Sequence, residues 1–238
     1  MSYLGKSFLA VIPAREHSRR LLNKNTQVLC GKPLIHWVIK AAKESVVFDE
    51  IVLMSDSKNA REYAISQGIS VYKEPEDLAT DTAYVGDALI EMLNSGLLTK
   101  RDYVQLIEPT APLVRPAMIQ NAVADLIKKD ADFIISMCEA EAPSGVAKPI
   151  LAEDYCVTDW WPEELFAKRS QDCELAYRVD GLIYVGRWDI WLQRNYWKSK
   201  IYAFITDRND SVDINTITDL HRAEAVLTAR LKKCWTWW

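Results

Sequence analysis

What the sequence lacks narrows the field first. No apolar run approaches the ~18 residues that a membrane-spanning helix needs. The opening, MSYLGKSFLAVIPAREH, has an apolar stretch too short and too soon interrupted for a secretory signal, so a cytoplasmic location is expected. Histidine is scarce, at three residues, and the five cysteines (Cys30, Cys138, Cys156, Cys173, Cys234) form no CxxC. A zinc site is therefore disfavoured, and an odd cysteine count without a signal reads as reduced thiols. Neither GxxxxGK[ST] nor GxGxxG occurs, which disfavours a P-loop kinase and a standard dinucleotide fold. There is no excess of positive charge either. The net charge is -4, against nucleic-acid binding, although a local basic loop can still hold an anionic substrate. Low-complexity tracts and internal repeats are missing too. With 49% hydrophobic and 26% charged residues over 238 positions, the composition is that of one folded α/β domain, with room for a small appendage.

The pattern that is present alternates. Phe8–Ile12 is a continuous apolar run, as in a strand buried on both faces, and a polar, basic loop follows from Ala14 to Asn25. Pro33 opens a helix whose apolar face is Leu34, Ile35, Val38, Ile39 and Ala42. Strand 51–54, a helix stopped at Gly68, strand 69–72 and a helix over 82–94 continue the series. Strand 103–107, a helix from Pro116 to about 129, and strand 133–136 complete the alternating part. This β-α-β-α rhythm predicts a mostly parallel sheet with helices on both faces. The rhythm breaks over 140–177, which carries three prolines and Trp160-Trp161 and reads as an inserted arm within a single domain, 1–238. Strand 181–185, an edge strand 202–205 and a closing helix 217–232 follow. Nine tryptophans are unusual, and core or interface packing is the expected use of most; stacking on a sugar is the sharper alternative.

Ligands of open α/β sheets bind beyond the carboxyl ends of the strands. After the first strand come Arg15, Arg19, Arg20 and Lys24, with Asn25, a set that can wrap a polyphosphate through forked guanidinium hydrogen bonds. A merely solvated basic loop is the competing reading. Asp56, Glu108 and Asp213 follow later strands or lie near the C-terminus, and carboxylates beside a polyphosphate invite Mg²⁺. Each one taken singly is more ordinarily a cap or turn residue.

Several segments carry a resemblance. FLAVIPAREHSRRLLNKN followed by GKPLIHWVIKAA is similar to the opening of the acylneuraminate cytidylyltransferase family, the CMP-sialic acid synthetases and their legionaminate and pseudaminate relatives. EPEDLATDTA, LIEPTAPLVRP, RSQDCELAYRVDGLIY and DSVDINTITDL continue the likeness in the family's order, over residues 8–220. The resemblance implies a Rossmann-like nucleotidyltransferase fold, usually dimeric, whose insert, here about 140–177, reaches over the partner's site. It implies the joining of CTP to a nine-carbon keto-acid sugar, giving a CMP-sugar and pyrophosphate. Carried over by block, Arg15, Arg19, Lys24 and Asn25 hold the nucleotide and its triphosphate, and Asp81 and Thr82 sit near the nucleoside. Glu108, Thr110, Arg178 and Asp180 serve the sugar, Asp213 and Asn215 occupy the Mg²⁺ positions, and Arg19 and Asp213 are the expected catalytic pair.

The departures from the family pattern also inform. Arg19 stands for a lysine, Leu22 for a proline, Glu74 for an arginine, Glu108 for a glutamine, Ser170 for an arginine, Asp180 for an asparagine and Asn215 for an aspartate. Four of these changes make the site region more negative. The chain is thus expected to be a cytidylyltransferase for a nonulosonic acid, with three alternatives. These are an amino or non-acid sugar as acceptor, another nucleotide, and a weak or silent paralogue that binds nucleotide or sugar.

Overall fold

The computed structural model describes residues 3–16, 18, 20–80, 83–141, 169 and 172–233. Seven strands form the central sheet: β1 (Phe8–Pro13), β4 (Glu50–Ser55), β5 (Ser70–Lys73), β6 (Tyr103–Leu106), β7 (Phe133–Glu139), β8 (Tyr177–Arg187) and β9 (Ile201–Ile205). A small hairpin of β2 (Val28–Leu29) and β3 (Lys32–Pro33) stands apart. The sheet order is β5-β4-β1-β6-β8-β7-β9. Pairing is parallel at β5-β4, β4-β1, β1-β6 and β7-β9. Strand β8 alone runs antiparallel, to both β6 and β7. The mostly parallel sheet read from the alternation is therefore present, with β9 at the edge as expected.

The helices are α1 (Leu34–Ser45), α2 (Lys58–Ser66), α3 (Val85–Asn94), α4 (Pro116–Lys128), the single turn α5 (Trp188–Trp191) and α6 (Ile217–Lys233). Both faces of β1 are covered, which is why its sequence is apolar throughout rather than alternating. Phe8, Ala10 and Ile12 pack toward α1, α2 and α4, whereas Leu9 and Val11 pack toward α3 and α5. All five are fully buried, each larger side chain contributing roughly 1.5–3 kcal/mol by leaving water. A third cluster joins Trp37 of α1 to Val212, Ile214 and the inner face of α6. Trp37, Trp188 and Trp191 are core residues, and the indole N–H groups of Trp37 and Trp191 donate to the carbonyls of Leu29 and Val104. Packing is thus the use of these three. Trp160, Trp161, Trp235, Trp237 and Trp238 lie outside the described residues, as does most of the arm expected at 140–177.

Two boundaries differ from the sequence reading. Helix α3 begins at Val85 rather than at 82, because Tyr84 is extended and the Ala83 N–H turns back to the Thr80 carbonyl. Strand β8 starts at Tyr177 rather than 181, and its register against β7 shifts between Ile135 and Met137. Gly181, at φ 80°, lies in that irregularity, where a side chain would be strained.

Candidate active site

Because β1 and β6 are parallel neighbours, the loops that leave their carboxyl ends lie side by side. They enclose a cleft of about 190 Å³ between the basic loop, the start of α3 and the Glu108-Pro109-Thr110 turn. The basic loop is tied down by backbone and short side chains. The Ser55 hydroxyl donates to the Ala14 carbonyl, the Glu16 N–H donates to Asp56 Oδ1 at 2.8 Å, and Asn25 Nδ2 donates to the Arg15 carbonyl at 2.9 Å.

A third segment, 210–219, is brought to the cleft by three sets of contacts. Asp210 is buried between Arg115, at 2.5 Å, and Arg230. The Ile214 N–H donates to the Thr110 carbonyl at 2.8 Å, so the residues on either side of it face the β6 turn. Asp219 accepts from the N–H groups of Asn215 and Thr216 and from the Thr216 hydroxyl, which caps the start of α6. With its ends fixed, the segment presents Asp213 and Asn215. Asn215 Nδ2 donates to Asp213 Oδ2 at 2.7 Å, and Asn215 Oδ1 faces Lys24 Nζ at 3.5 Å. Lys24, Asn215 and Asp213 therefore form a row that starts in the cleft at Lys24, drawn from segments 191 residues apart.

The electrostatics follow from crowding in a partly dry space. Burial lowers the Lys24 pKa, although Asp213, Glu108 and Asp219 act in the other direction. Burial pushes the Glu108 carboxyl up to about 7, with the charge of Asp213 adding to the effect and Lys24 and Arg15 opposing it. A cleft holding a lysine whose pKa is lowered by burial and a carboxyl raised to about 7 is a place where pKa perturbation and concavity coincide, a combination associated with function.

The cytidylyltransferase family model matches residues 9–226, so it spans the sheet, the cleft and the capped segment together. The chain belongs to the cytidylyltransferase family. It is 33% identical over 225 positions to the pseudaminic acid cytidylyltransferase of Campylobacter jejuni, covering 91% of this chain and 94% of that one. It is 32% identical to the CMP-N,N'-diacetyllegionaminic acid synthase of Legionella pneumophila, covering 92% and 95%. Among solved structures, CMP:2-keto-3-deoxy-manno-octonic acid synthetase complexed with CTP superposes with a TM-score of 0.69 at 16% identity, over 94% of this chain and 99% of that one. That likeness shows the nucleotidyltransferase fold.

In this cytidylyltransferase the expected site residues meet different fates. Lys24, Glu108, Asp213 and Asn215 gather at the cleft, and Thr110 lines it while its carbonyl anchors Ile214. Asn25 lines it too, with its amide spent on the Arg15 carbonyl. Arg15 reaches the cleft, but its guanidinium is already committed: Nε donates to Glu74 at 2.9 Å and Nη1 to the carbonyls of Thr80 and Ala83. Of the fork read from its position, Nη2 alone is left without a partner among the described residues. Asp180 is turned into the sheet rather than toward the sugar, 2% exposed, because the β7/β8 irregularity needs acceptors. Its carboxylate takes the hydroxyls of Ser136 and Thr206 and the Leu182 N–H. Arg178 is half-buried and donates to the Ser211 carbonyl at 3.4 Å. Arg19, Asp81 and Thr82 lie outside the described residues, as does Ser170. Glu74, the partner of Arg15, is a residue that the sequence does not pair with it. The substitution at 74 was visible, but nothing in the order of residues pairs it with a position 59 residues away.

Proposed function

We propose that this cytidylyltransferase joins CTP to a nonulosonic acid and releases pyrophosphate. The observation that carries this reading is the row Lys24-Asn215-Asp213 facing Glu108 at the carboxyl ends of β1 and β6. It stands in a chain whose relatives are named for pseudaminic and legionaminic acids. In the reaction the sugar's anomeric hydroxyl oxygen bonds to the α-phosphorus, the bond from that phosphorus to the bridging oxygen breaks, and pyrophosphate leaves as the hydroxyl proton is lost. Such chemistry depends mainly on positioning and charge neutralisation. Lys24 supplies a cation against the phosphates. Arg19 is assigned there by sequence alone. Glu108 and Thr110 border the space where the acceptor enters, and Arg178 is assigned to the sugar by the resemblance alone.

Mg²⁺ fits the donors present. Asn215 engages only Oδ2 of Asp213 among the described contacts, and the Asn215 oxygen is turned to Lys24. Asp213 would therefore hold the ion and Asn215 would orient Asp213, with phosphates and waters as the other ligands, a set that suits a hard cation reluctant to dehydrate. Among the described residues no three His, Cys, Asp or Glu side chains gather for a metal. When bound, the ion would neutralise charge on the triphosphate and on the departing pyrophosphate.

A second reading, an acceptor bearing an amine, is favoured by one feature: Glu108 puts a carboxyl where the family resemblance has a neutral amide. The working form is proposed to be a homodimer in the cytoplasm. The dimer is supported by the exposed Leu175, Tyr177, Val179 and Ile205, and no helix of the described residues is long and apolar enough to cross a membrane. Pyrophosphate release with a panel of nucleoside triphosphates and keto-acid sugars tests the reaction. CTP with a nonulosonic acid should give the highest rate. Preference for another triphosphate, or no turnover with any acid or amino sugar, would overturn it.

A further inference from the structure

The Arg15–Glu74 contact does more than neutralise two charges. Glu74 is 0% exposed and Arg15 18%. An arginine and a carboxylate free to choose their geometry usually meet fork to fork, with two parallel hydrogen bonds. Here a single bond, Nε to Oε1, joins them. Arg15 Nη2 and Glu74 Oε2 are both buried and have no hydrogen-bond partner in the structure. The guanidinium is instead rotated so that Nη1 reaches two backbone carbonyls, those of Thr80, at 3.1 Å, and Ala83, at 2.7 Å. Leaving buried polar atoms unmatched is costly, so the geometry sacrifices the fork to hold the backbone. That backbone is the lead into α3, and Val85, the first residue of α3, lines the same cleft as Arg15, Lys24 and Glu108. The start of α3 is close-packed as well. A Cβ on Gly86 would lie 2.3 Å from the Tyr84 ring, so no larger residue fits there without displacing that ring.

We infer that Glu74 is a positioning residue for the nucleotide. It fixes the guanidinium of Arg15, which clasps the Thr80 and Ala83 carbonyls and so sets the α3 wall of the cleft at the distance the nucleotide requires. Arg15 thereby acts on the nucleotide through the wall, whatever its Nη2 contributes. The family resemblance has arginine at 74, a residue that could not accept from Arg15, so the resemblance implies no such clasp.

The inference rests on CTP being the ligand, and its test separates the two ideas. Removing one partner alone leaves a buried charge and confounds binding with folding, whereas replacing both with apolar residues of similar length is often neutral for stability. The informative protein is therefore Arg15→Met/Glu74→Met, compared with Glu74→Gln, whose amide oxygen can still accept from Arg15. Denaturant unfolding first establishes that the double variant is as stable as the wild type. Calorimetric titration with CTP should then show about tenfold or greater loss in the double variant and less than about threefold in Glu74→Gln. Steady-state rates should show a raised KM for CTP, an unchanged KM for the sugar and a nearly unchanged kcat. Amide hydrogen exchange at 83–86 should quicken in the double variant. Unchanged exchange at 83–86 in a stable double variant overturns the clasp, whatever the CTP affinity. If the wild type itself fails to bind CTP, the proposed reaction falls, and the exchange measurement still decides whether the clasp holds the wall.

Discussion

Glu108→Gln should make this protein more stable at pH 8 and leave its stability in acid unchanged. The carboxyl titrates at about 7 in the folded chain and at 4.5 when free, chiefly because burial penalises its charged form and Asp213 repels it. A tenfold change in a proton equilibrium is worth about 1.4 kcal/mol, so ionised Glu108 sets the folded state back by ~3 kcal/mol at most. The side chain opens partly to the cleft, and screening by water reduces this to roughly 1–2 kcal/mol. The sign follows from the raised value. The folded state holds its proton longer than the unfolded one, so stability is full below pH 4.5 and declines as pH rises through 7. Glutamine keeps the shape and removes the charge, which abolishes the decline. The melting temperature at pH 8 should rise by about 2–8 °C, at about 2–4 °C per kcal/mol for a chain of this size. Urea unfolding followed by tryptophan fluorescence at intervals from pH 4.5 to 8 measures the effect directly. Stability curves that run parallel for the two proteins across that range would refute the reasoning, since Glu108 would then carry no folding-linked proton.

Three further outcomes are expected. Lys24→Met should lower CTP affinity by about 10–100-fold in calorimetry while leaving stability equal or slightly higher, because burial already disfavours the ammonium; unchanged affinity would remove Lys24 from the phosphates. Asp180→Ala should cost roughly 2–4 kcal/mol in denaturant unfolding, since it strands two hydroxyls and an N–H inside the sheet. A variant of normal stability with a raised KM for the sugar would instead return Asp180 to the sugar. Asp213→Asn should weaken Mn²⁺ binding in the presence of CTP by about tenfold or more, read by electron paramagnetic resonance, whereas Asn215→Ala should weaken it less. Equal losses would mean that Asn215 is itself a ligand.

The sequence by itself determined the layered α/β fold, because the information is local and periodic. Leu9, Val11 and their neighbours form an unbroken apolar run that only a strand covered on both faces can use, and Pro116 and Gly68 mark a helix start and a helix stop. It also pointed to the carboxyl ends of the parallel strands, which are set by topology, as the place to look for a site; Lys24 and Glu108 lie in the loops there, whereas Asp213 is carried to them by contacts far apart in sequence. Only the tertiary structure decided what each polar residue does there. Arg15 and Asp180 are equally plausible as ligand contacts when read along the chain. One proves to be a clasp on Glu74 and the lead into α3, the other a bracket inside the β7/β8 irregularity. The antiparallel entry of β8 was likewise invisible, because its first half alternates Arg178 and Asp180 with exposed Tyr177 and Val179 and so carries no buried run. Apolar burial repeats with the period of the backbone and can be read from neighbours in sequence. A charged side chain is assigned by whichever partner the fold carries to it, and the side-chain partners of Arg15, Lys24 and Asp180 lie 26 to 191 residues away.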